Sequence, residues 1–205
     1  MSELNGASPE TPDDLDQAAI PQEAIIVVPP NWWVVSLASD ERRKRSVKKL
    51  VERQAGGADV NAQLRAELRQ ELDGLTSAAM QRGGRLYAVS LMQNEEGDPL
   101  AATVLVSREI VELETIRVRL ALGDVETVEA EGEYGPVYRT IKTEPGPELW
   151  GAQDIEQLIV NYWLEPPDGL GVYRATFTTP HLELEEGMIA LFDAMVESVT
   201  VLGAE

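Results

Sequence analysis

Paired apolar runs of strand length in the second half of the sequence constrain its fold most. The two runs of each pair flank a short segment rich in Gly and Pro, which is the turn chemistry of a β-hairpin. The three predicted hairpins join residues 86–92 to 100–107, 125–130 to 137–142, and 155–164 to 171–178. Strands joined by short turns run antiparallel, so the sequence predicts an antiparallel sheet of hairpins.

Helical spacing of apolar residues marks three further segments. A first helix, capped by Ser39 or Asp40, and a longer second helix, capped by Asp59 or Asn61, form a two-helix segment at 40–83. Beyond residue 180, apolar side chains at spacings of three and four predict a C-terminal amphipathic helix. The predicted fold class is therefore α+β, an antiparallel sheet of hairpins with helices packed on its faces.

Two segments leave alternatives open. Two prolines separate the β-branched and aromatic runs at 25–28 and 32–37, which predicts two short strands or one interrupted edge strand. In the segment 109–122, apolar residues alternate with arginines toward the end, which favours a strand there. The first half of that segment is left unassigned, because it could also form a turn of helix.

Length and composition predict the domain organisation. A chain of 205 residues suits one domain with a tail better than two independent cores. The first residues are polar and acidic with little apolar surface, which predicts a disordered acidic tail at 1–22 and a single α+β domain at 23–205.

Charge and hydropathy limit the classes of partner and the cellular location that we expect. The net charge of −19 repels nucleic-acid phosphates and anionic lipids, so we expect neither as a partner. No apolar stretch approaches the roughly 18–20 residues of a membrane span, and no basic residue precedes Ala24, unlike in a signal peptide. We therefore expect a cytoplasmic protein. Arg outnumbers Lys 13 to 4, which suggests a high-GC bacterial source.

Residue usage argues against catalysis and cofactors. Zero cysteines and one histidine exclude disulfides, thiolate and multi-histidine metal sites, iron–sulfur clusters and a cysteine nucleophile. His181 stands before three glutamates, where an imidazole could act as a base or weak ligand, but we interpret it as a loop residue. Carboxylate groups such as Glu129, Glu131 and Glu133 are interpreted as a solvated face. We expect no enzyme, no metal and no cofactor.

Two features stand out as a candidate protein interface. The first helix carries a dense run of cations, and two adjacent tryptophans on a predicted strand point to opposite faces, so both are buried only if both faces are covered. The candidate residues are Trp32, Trp33, Arg42, Arg43, Lys44, Arg45, Lys48 and Lys49. The cations either pair with acidic residues of the same chain or bind an acidic partner or a second copy.

The order of elements resembles that of a known superfamily. Trp32 and Trp33 lie on the opening strand, a long helix precedes the hairpins, and the chain ends in the segments 173–180 and 191–199. This layout is similar to the PsbP-like superfamily of small α/β/α sandwich domains, over about residues 30–202. The resemblance implies a binding, assembly-factor or lipoprotein module without a catalytic apparatus. The two-helix segment at 40–83 departs from it.

These observations give three hypotheses for function. The first is a non-catalytic protein-interaction module, such as an assembly, chaperone-like or secretion-accessory protein, that binds a protein partner. The second is a small-ligand-binding protein or an enzyme with a site built from scattered polar residues, which would show as a deep apolar pocket with a few converging charged groups. The third is a structural subunit of a larger particle.

Overall fold

A computed structural model describes residues 24–55, 62–146, 154–166 and 170–201. The predicted tail at 1–22, the predicted caps Asp59 and Asn61, and most of the predicted turn before residue 170 lie outside the described residues.

The described residues contain a seven-stranded sheet in which every neighbouring pair is antiparallel. Its strands are β2 (Trp32–Ser36), β3 (Gly84–Ser90), β4 (Thr103–Glu109), β5 (Thr127–Gly132), β6 (Gly135–Pro145), β7 (Glu156–Leu164) and β8 (Val172–Thr179), in the order β2-β3-β4-β8-β7-β6-β5. A separate two-stranded ladder pairs β1 (Ala24–Ile25) with β9 (Thr200–Val201). All three predicted hairpins are confirmed, since β3 pairs with β4, β5 with β6, and β7 with β8.

Four α-helices accompany the sheet in the described part of the chain. They are α1 (Asp40–Ala55), α2 (Ala62–Gln81), α3 (Leu113–Ala121) and α4 (Glu185–Glu197), with a short 3₁₀ turn at Leu182–Leu184 before α4. The Ser39 hydroxyl accepts a hydrogen bond from the Arg42 N–H at 3.3 Å, so Ser39 caps α1. Both helices of the two-helix segment and the C-terminal helix are confirmed.

The expected strand toward the end of 109–122 is wrong, because α3 occupies most of that segment. Leu113 and Ile116 are buried and Leu120 is half-buried, and these spacings of three and four place them on one side of a helix. The arginines that produced the alternation, among them Arg117, are exposed. Apolar residues at every second position over only five residues also fit a short helix. The packing of the apolar side of α3 against the sheet therefore selects the helix over the strand.

One face of the sheet packs against α4 and forms the largest apolar cluster. Phe177 of β8 and Phe192 of α4 are both fully buried, with their rings stacked 4.4 Å apart. Tyr162 of β7 meets Phe177 edge-on at 5.6 Å. These aromatic contacts fix α4 over the middle of the sheet.

The opposite face is covered by the other three helices. Val47 of α1 and Ala79 of α2 pack with Tyr87 of β3, while Ile116 of α3 packs with Trp163 of β7. Neighbouring residues on a strand point to opposite faces, so helices lie on both sides of one sheet. The α+β class with helices on the faces of an antiparallel sheet is confirmed. None of the described helices is long and apolar enough to cross a membrane.

Candidate binding pocket

The two tryptophans of the predicted interface point to opposite faces of β2. Trp32 is only 6% exposed and belongs to the cluster under α4. Trp33 is half-buried on the other face, where its Nε1–H donates to the Ser46 carbonyl at 3.3 Å and its ring lies beneath Arg53. Trp32 is therefore inaccessible in this fold, and Trp33 helps to attach α1 to the sheet.

Arg43, one of the predicted interface cations, is 1% exposed and lies between α1 and α2. Its Nη2–H donates to the Asp40 carboxylate at 2.6 Å. Its Nη1–H donates to the carboxylate and the carbonyl of Asp73 at 2.8 Å and to the Thr76 hydroxyl at 3.0 Å. These contacts with both aspartates raise the pKa of Arg43 although burial acts in the opposite direction. Arg43 joins two helices and is not available to a partner.

The other predicted interface cations lie on the exposed side of α1. Three of them pair within the helix, at spacings of four residues: Lys44 with Asp40 at 2.7 Å, Arg45 with Glu41 at 2.6 Å, and Lys48 with Glu52 at 3.8 Å. Arg42 and Lys49 are exposed. Such pairs are the usual support of a solvated helix and lower the charge available to an acidic partner.

His181 lies at the corner between β8 and α4. Its Nε2 accepts the Ala101 N–H at 3.1 Å, so the neutral ring carries its proton on Nδ1, which lies 3.1 Å from the Glu183 carboxylate. A backbone hydrogen bond and this histidine hold the pKa of Glu183 below its usual value. The ring thus ties two loops together. Within the described residues, no group of three or more His, Asp or Glu side chains is placed to hold a metal ion.

A cavity of about 410 Å³ lies on the α4 side of the sheet, between the last part of α4 and the strands β5 and β6. Its apolar walls come from the inward residues of three strands and from the last part of α4. The apolar and aromatic lining residues are Val128, Ala130, Tyr134, Val137, Tyr162, Leu164, Val196 and Val199. A volume above about 300 Å³ with mainly apolar walls is typical of sites that bind a small molecule or a partner's side chains.

One ion pair and one tyrosine form the inner polar part of this pocket. Arg139 of β6 donates through Nη1 to both carboxylate oxygens of Asp193 on α4, at 2.8 and 2.6 Å. The Tyr162 hydroxyl donates to the same carboxylate at 2.8 Å. Burial and the neighbouring Asp193 carboxylate raise the pKa of Tyr162 well above its ordinary value. The buried Arg139 Nε–H has no hydrogen-bond acceptor among the described residues.

Four glutamates complete the lining and set the charge of the mouth. Glu131, Glu133, Glu165 and Glu197 are all exposed. None of them forms an ion pair with a residue that the structure describes. Because Arg139 is already neutralised by Asp193, the mouth carries an excess of four negative charges. Carboxylates around an apolar cavity attract a positively charged group and steer it toward the pocket.

The polar groups inside the pocket are engaged with one another. The Asp193 carboxylate accepts hydrogen bonds from Arg139 and Tyr162. The arrangement therefore offers apolar contact inside and negative charge outside, which fits a ligand that carries a cation beside an apolar group.

The sequence placed the candidate interface elsewhere, on α1 and β2. The pocket lies away from both, and its ion pair joins residues 54 positions apart. The sequence alone favours a solvated face for Glu131 and Glu133, and their position beside the cavity indicates a second role. The one local feature of the sequence that could have indicated the pocket is the β5–β6 hairpin, in which apolar residues stand next to several carboxylates.

No family model matches the chain, and no curated protein matches it.

Proposed function

We propose that this protein is a non-catalytic interaction module that binds a positively charged segment of a partner protein at the pocket between α4 and the β5–β6 hairpin. One observation carries the proposal: an apolar cavity of about 410 Å³ is surrounded by four exposed glutamates without ion-pair partners among the described residues. Apolar walls favour burial of a side chain such as Leu, Phe or Val. The glutamates favour Arg or Lys next to it.

Two further observations support a partner from outside the chain. Residues 1–23 contain no Lys or Arg, so this stretch does not supply basic side chains to the pocket. The cations of α1 are in large part paired with carboxylates of their own helix, which makes α1 of a second copy a weak occupant. The resemblance to PsbP-like binding modules stays a prediction and contributes no residue to this site.

A random 12-residue peptide display library, selected on the purified protein at physiological ionic strength, tests the proposal. We expect the enriched peptides to combine Arg or Lys with a neighbouring large apolar residue. A mouth variant that changes Glu131, Glu133, Glu165 and Glu197 to Gln should weaken the binding of a synthesised selected peptide at least about tenfold, because each lost charge pair contributes a fraction of a kcal/mol or more.

A matched control separates the pocket from the overall charge. Changing four exposed glutamates elsewhere (Glu67, Glu71, Glu95 and Glu96) to Gln removes the same four charges from a total of −19. This control should bind within about twofold of the natural protein. Ala130→Trp, which fills the pocket from an exposed strand position, should abolish binding, whereas Ala78→Trp on the exposed side of α2 should not.

Four results would overturn the proposal. The first three are an absence of enriched peptides, equal loss in the mouth variant and its control, and full binding by Ala130→Trp. The fourth is enrichment of acidic or wholly apolar peptides that are insensitive to the mouth variant. If a small amphiphilic cation co-purifies in the pocket and no peptide binds, the ligand is a small molecule and the protein-partner proposal is wrong.

A further inference from the structure

Strand β5 is the last strand on its side of the seven-stranded sheet. In the described part of the chain, no other strand pairs with its outer edge. Five of its six residues are exposed. The outer edge of a terminal strand carries backbone N–H and C=O groups that can pair with another extended chain.

The register of the β5–β6 hairpin shows which residues of β5 present those groups. Pro136 of β6 lies opposite Glu131. Because proline has no N–H, this pair cannot exchange both ladder hydrogen bonds and must be a non-hydrogen-bonded pair. The backbone groups of Glu131 therefore point away from β6. Since the two kinds of pair alternate along the ladder, those of Glu129 and Thr127 point outward as well.

Side chains on β5 alternate between two chemically different surfaces. Val128 and Ala130 line the pocket under the end of α4. Glu129 lies on the other face, opposite Tyr138, and burial followed by the nearby Glu129 carboxylate raises the pKa of that phenol. Glu131 shares the face of Glu129 by alternation, and at the end of the strand it also borders the pocket.

We propose that the partner segment binds as an added β-strand along the outer edge of β5, with alternating apolar and basic residues. This inference rests on the proposed function, because it assigns the conformation and the sequence pattern of the segment that the pocket takes. Its apolar side chains lie beside Val128 and Ala130 and enter the pocket, and its basic side chains lie beside Glu129 and Glu131. Main-chain hydrogen bonds supply affinity and the alternating side chains supply specificity, as in other cases of strand addition.

The same charges argue against a second copy of this chain as the occupant. Two β5 edges brought together would set glutamates against glutamates across the new ladder, and like charges on neighbouring strands are destabilising. Edge strands that carry acidic residues in this way are protected against self-association. A strand with basic side chains at these positions replaces the repulsion between glutamates with cross-strand ion pairs.

The geometry of the sheet fixes which backbone groups of the added strand are used. Every pair in the sheet is antiparallel, so we expect the added strand to be antiparallel to β5. A residue directly opposite Glu129 or Glu131 then shares two hydrogen bonds with it and has its side chain on the same face. Those positions are the basic ones. The N–H groups of the basic residues therefore point toward β5, and those of the apolar residues point away.

Backbone N-methylation tests this assignment without changing any side chain. The probe is a capped seven-residue peptide of alternating Arg and Val, and its binding is followed by fluorescence anisotropy at physiological ionic strength. N-methyl groups on the inner Arg residues should weaken binding at least about tenfold, because they remove ladder hydrogen bonds and clash with the edge. The same number of N-methyl groups on the Val residues should change binding less than about threefold. A peptide with the same residues in a block order controls for charge alone and should bind at least about tenfold more weakly.

The outcomes separate this inference from the proposed function. Sensitivity to methylation of Arg alone supports antiparallel addition, and sensitivity to methylation of Val alone supports addition in the parallel orientation. Equal sensitivity, or none, overturns strand addition. If the mouth variant still weakens that peptide while its matched control does not, pocket binding stands and only the strand is refuted. If the natural protein binds neither the alternating nor the block peptide and no library peptide is enriched, the proposed function itself fails.

Discussion

Replacing Arg43 with Met should destabilise the protein by about 2–3 kcal/mol. Arg43 is the largest fully buried side chain in the described structure, and it donates hydrogen bonds to two aspartates and a threonine. Methionine preserves most of the aliphatic length of the side chain and cannot make any of these bonds. The variant therefore removes the polar link between α1 and α2 while leaving the helices packed.

The magnitude follows from how exposed the partners of Arg43 are. Removing one member of a fully buried ion pair costs about 3–5 kcal/mol, because the remaining charge has no water. Here the carboxylates of Asp40 and Asp73 are 51% and 40% exposed, so both regain water when the guanidinium is lost. The Thr76 hydroxyl also keeps its bond to the Leu72 carbonyl at 2.6 Å. These effects reduce the loss to about 2–3 kcal/mol.

Urea and thermal unfolding measure the effect. For a chain of this size, each kcal/mol corresponds to about 2–4 °C, so Tm should fall by roughly 4–12 °C. Arg42→Met, at the neighbouring exposed position, should change Tm by less than about 2 °C. Arg43→Lys should retain only part of the stability, because an ammonium cannot reproduce the planar fork that reaches both aspartates. If Arg43→Met equals or exceeds the natural protein in stability, the desolvation of the guanidinium outweighs its bonds and this reasoning is refuted.

Three further substitutions test the backbone and one buried phenol. Gly171 has φ +82°, and a Cβ there would collide with the Glu109 carbonyl, so Gly171→Ala should lower the free energy of unfolding in urea by at least about 2 kcal/mol. Gly187 lies on α4 with open space around it, so Gly187→Ala should raise the free energy of unfolding by about 0.5–1 kcal/mol. Burial raises the pKa of Tyr87 to about 12 from an ordinary value of 10, so the unfolded chain loses that proton first and stability should decline between pH 10 and 12. Tyr87→Phe should reduce the slope of the decline over this range, to which Tyr138 and Tyr162 with their raised pKa values still contribute. An unchanged slope would show that Tyr87 ionises as freely in the folded state.

The strands and most helices were predictable because their signals are local. Each hairpin combines apolar runs with a turn of Gly and Pro. The helices α2 and α4 show apolar spacings of three and four over ten or more residues, and α1 shows them over the shorter stretch from Val47 to Val51. The helix α3 was missed because it has only nine residues. At that length, Ile116, Val118 and Leu120 alternate as a strand would, while only Ile116 is buried and Leu120 is half-buried. Contacts with Tyr138 and Trp163, far away in sequence, select the helix.

The roles of charged side chains were less predictable than the elements that carry them. The cations of α1 form one continuous pattern in the sequence, yet Arg43 is buried between two helices and Arg42 beside it is exposed. The rotation of α1 against α2 determines that Arg43 is buried and Arg42 is exposed. Asp73 on α2 then supplies a carboxylate that pairs with the buried guanidinium. Local periodicity shows which residues share a helix face, and it does not show which face meets a carboxylate.

The pocket follows from a mismatch between the widths of the two layers that enclose it. Seven strands at about 4.8 Å spacing span roughly 29 Å, whereas a helix of 13 residues is about 20 Å long and 10–12 Å across. Because α4 is the one α-helix on its face among the described residues, it leaves a flank of the sheet without helical cover in any orientation. The Arg139–Asp193 pair fixes which flank that is, since it anchors α4 at the inner side of β6. Beyond this anchor, Val128 and Ala130 lie only under the end of α4, so the pocket opens beside them and its exposed glutamates border that opening.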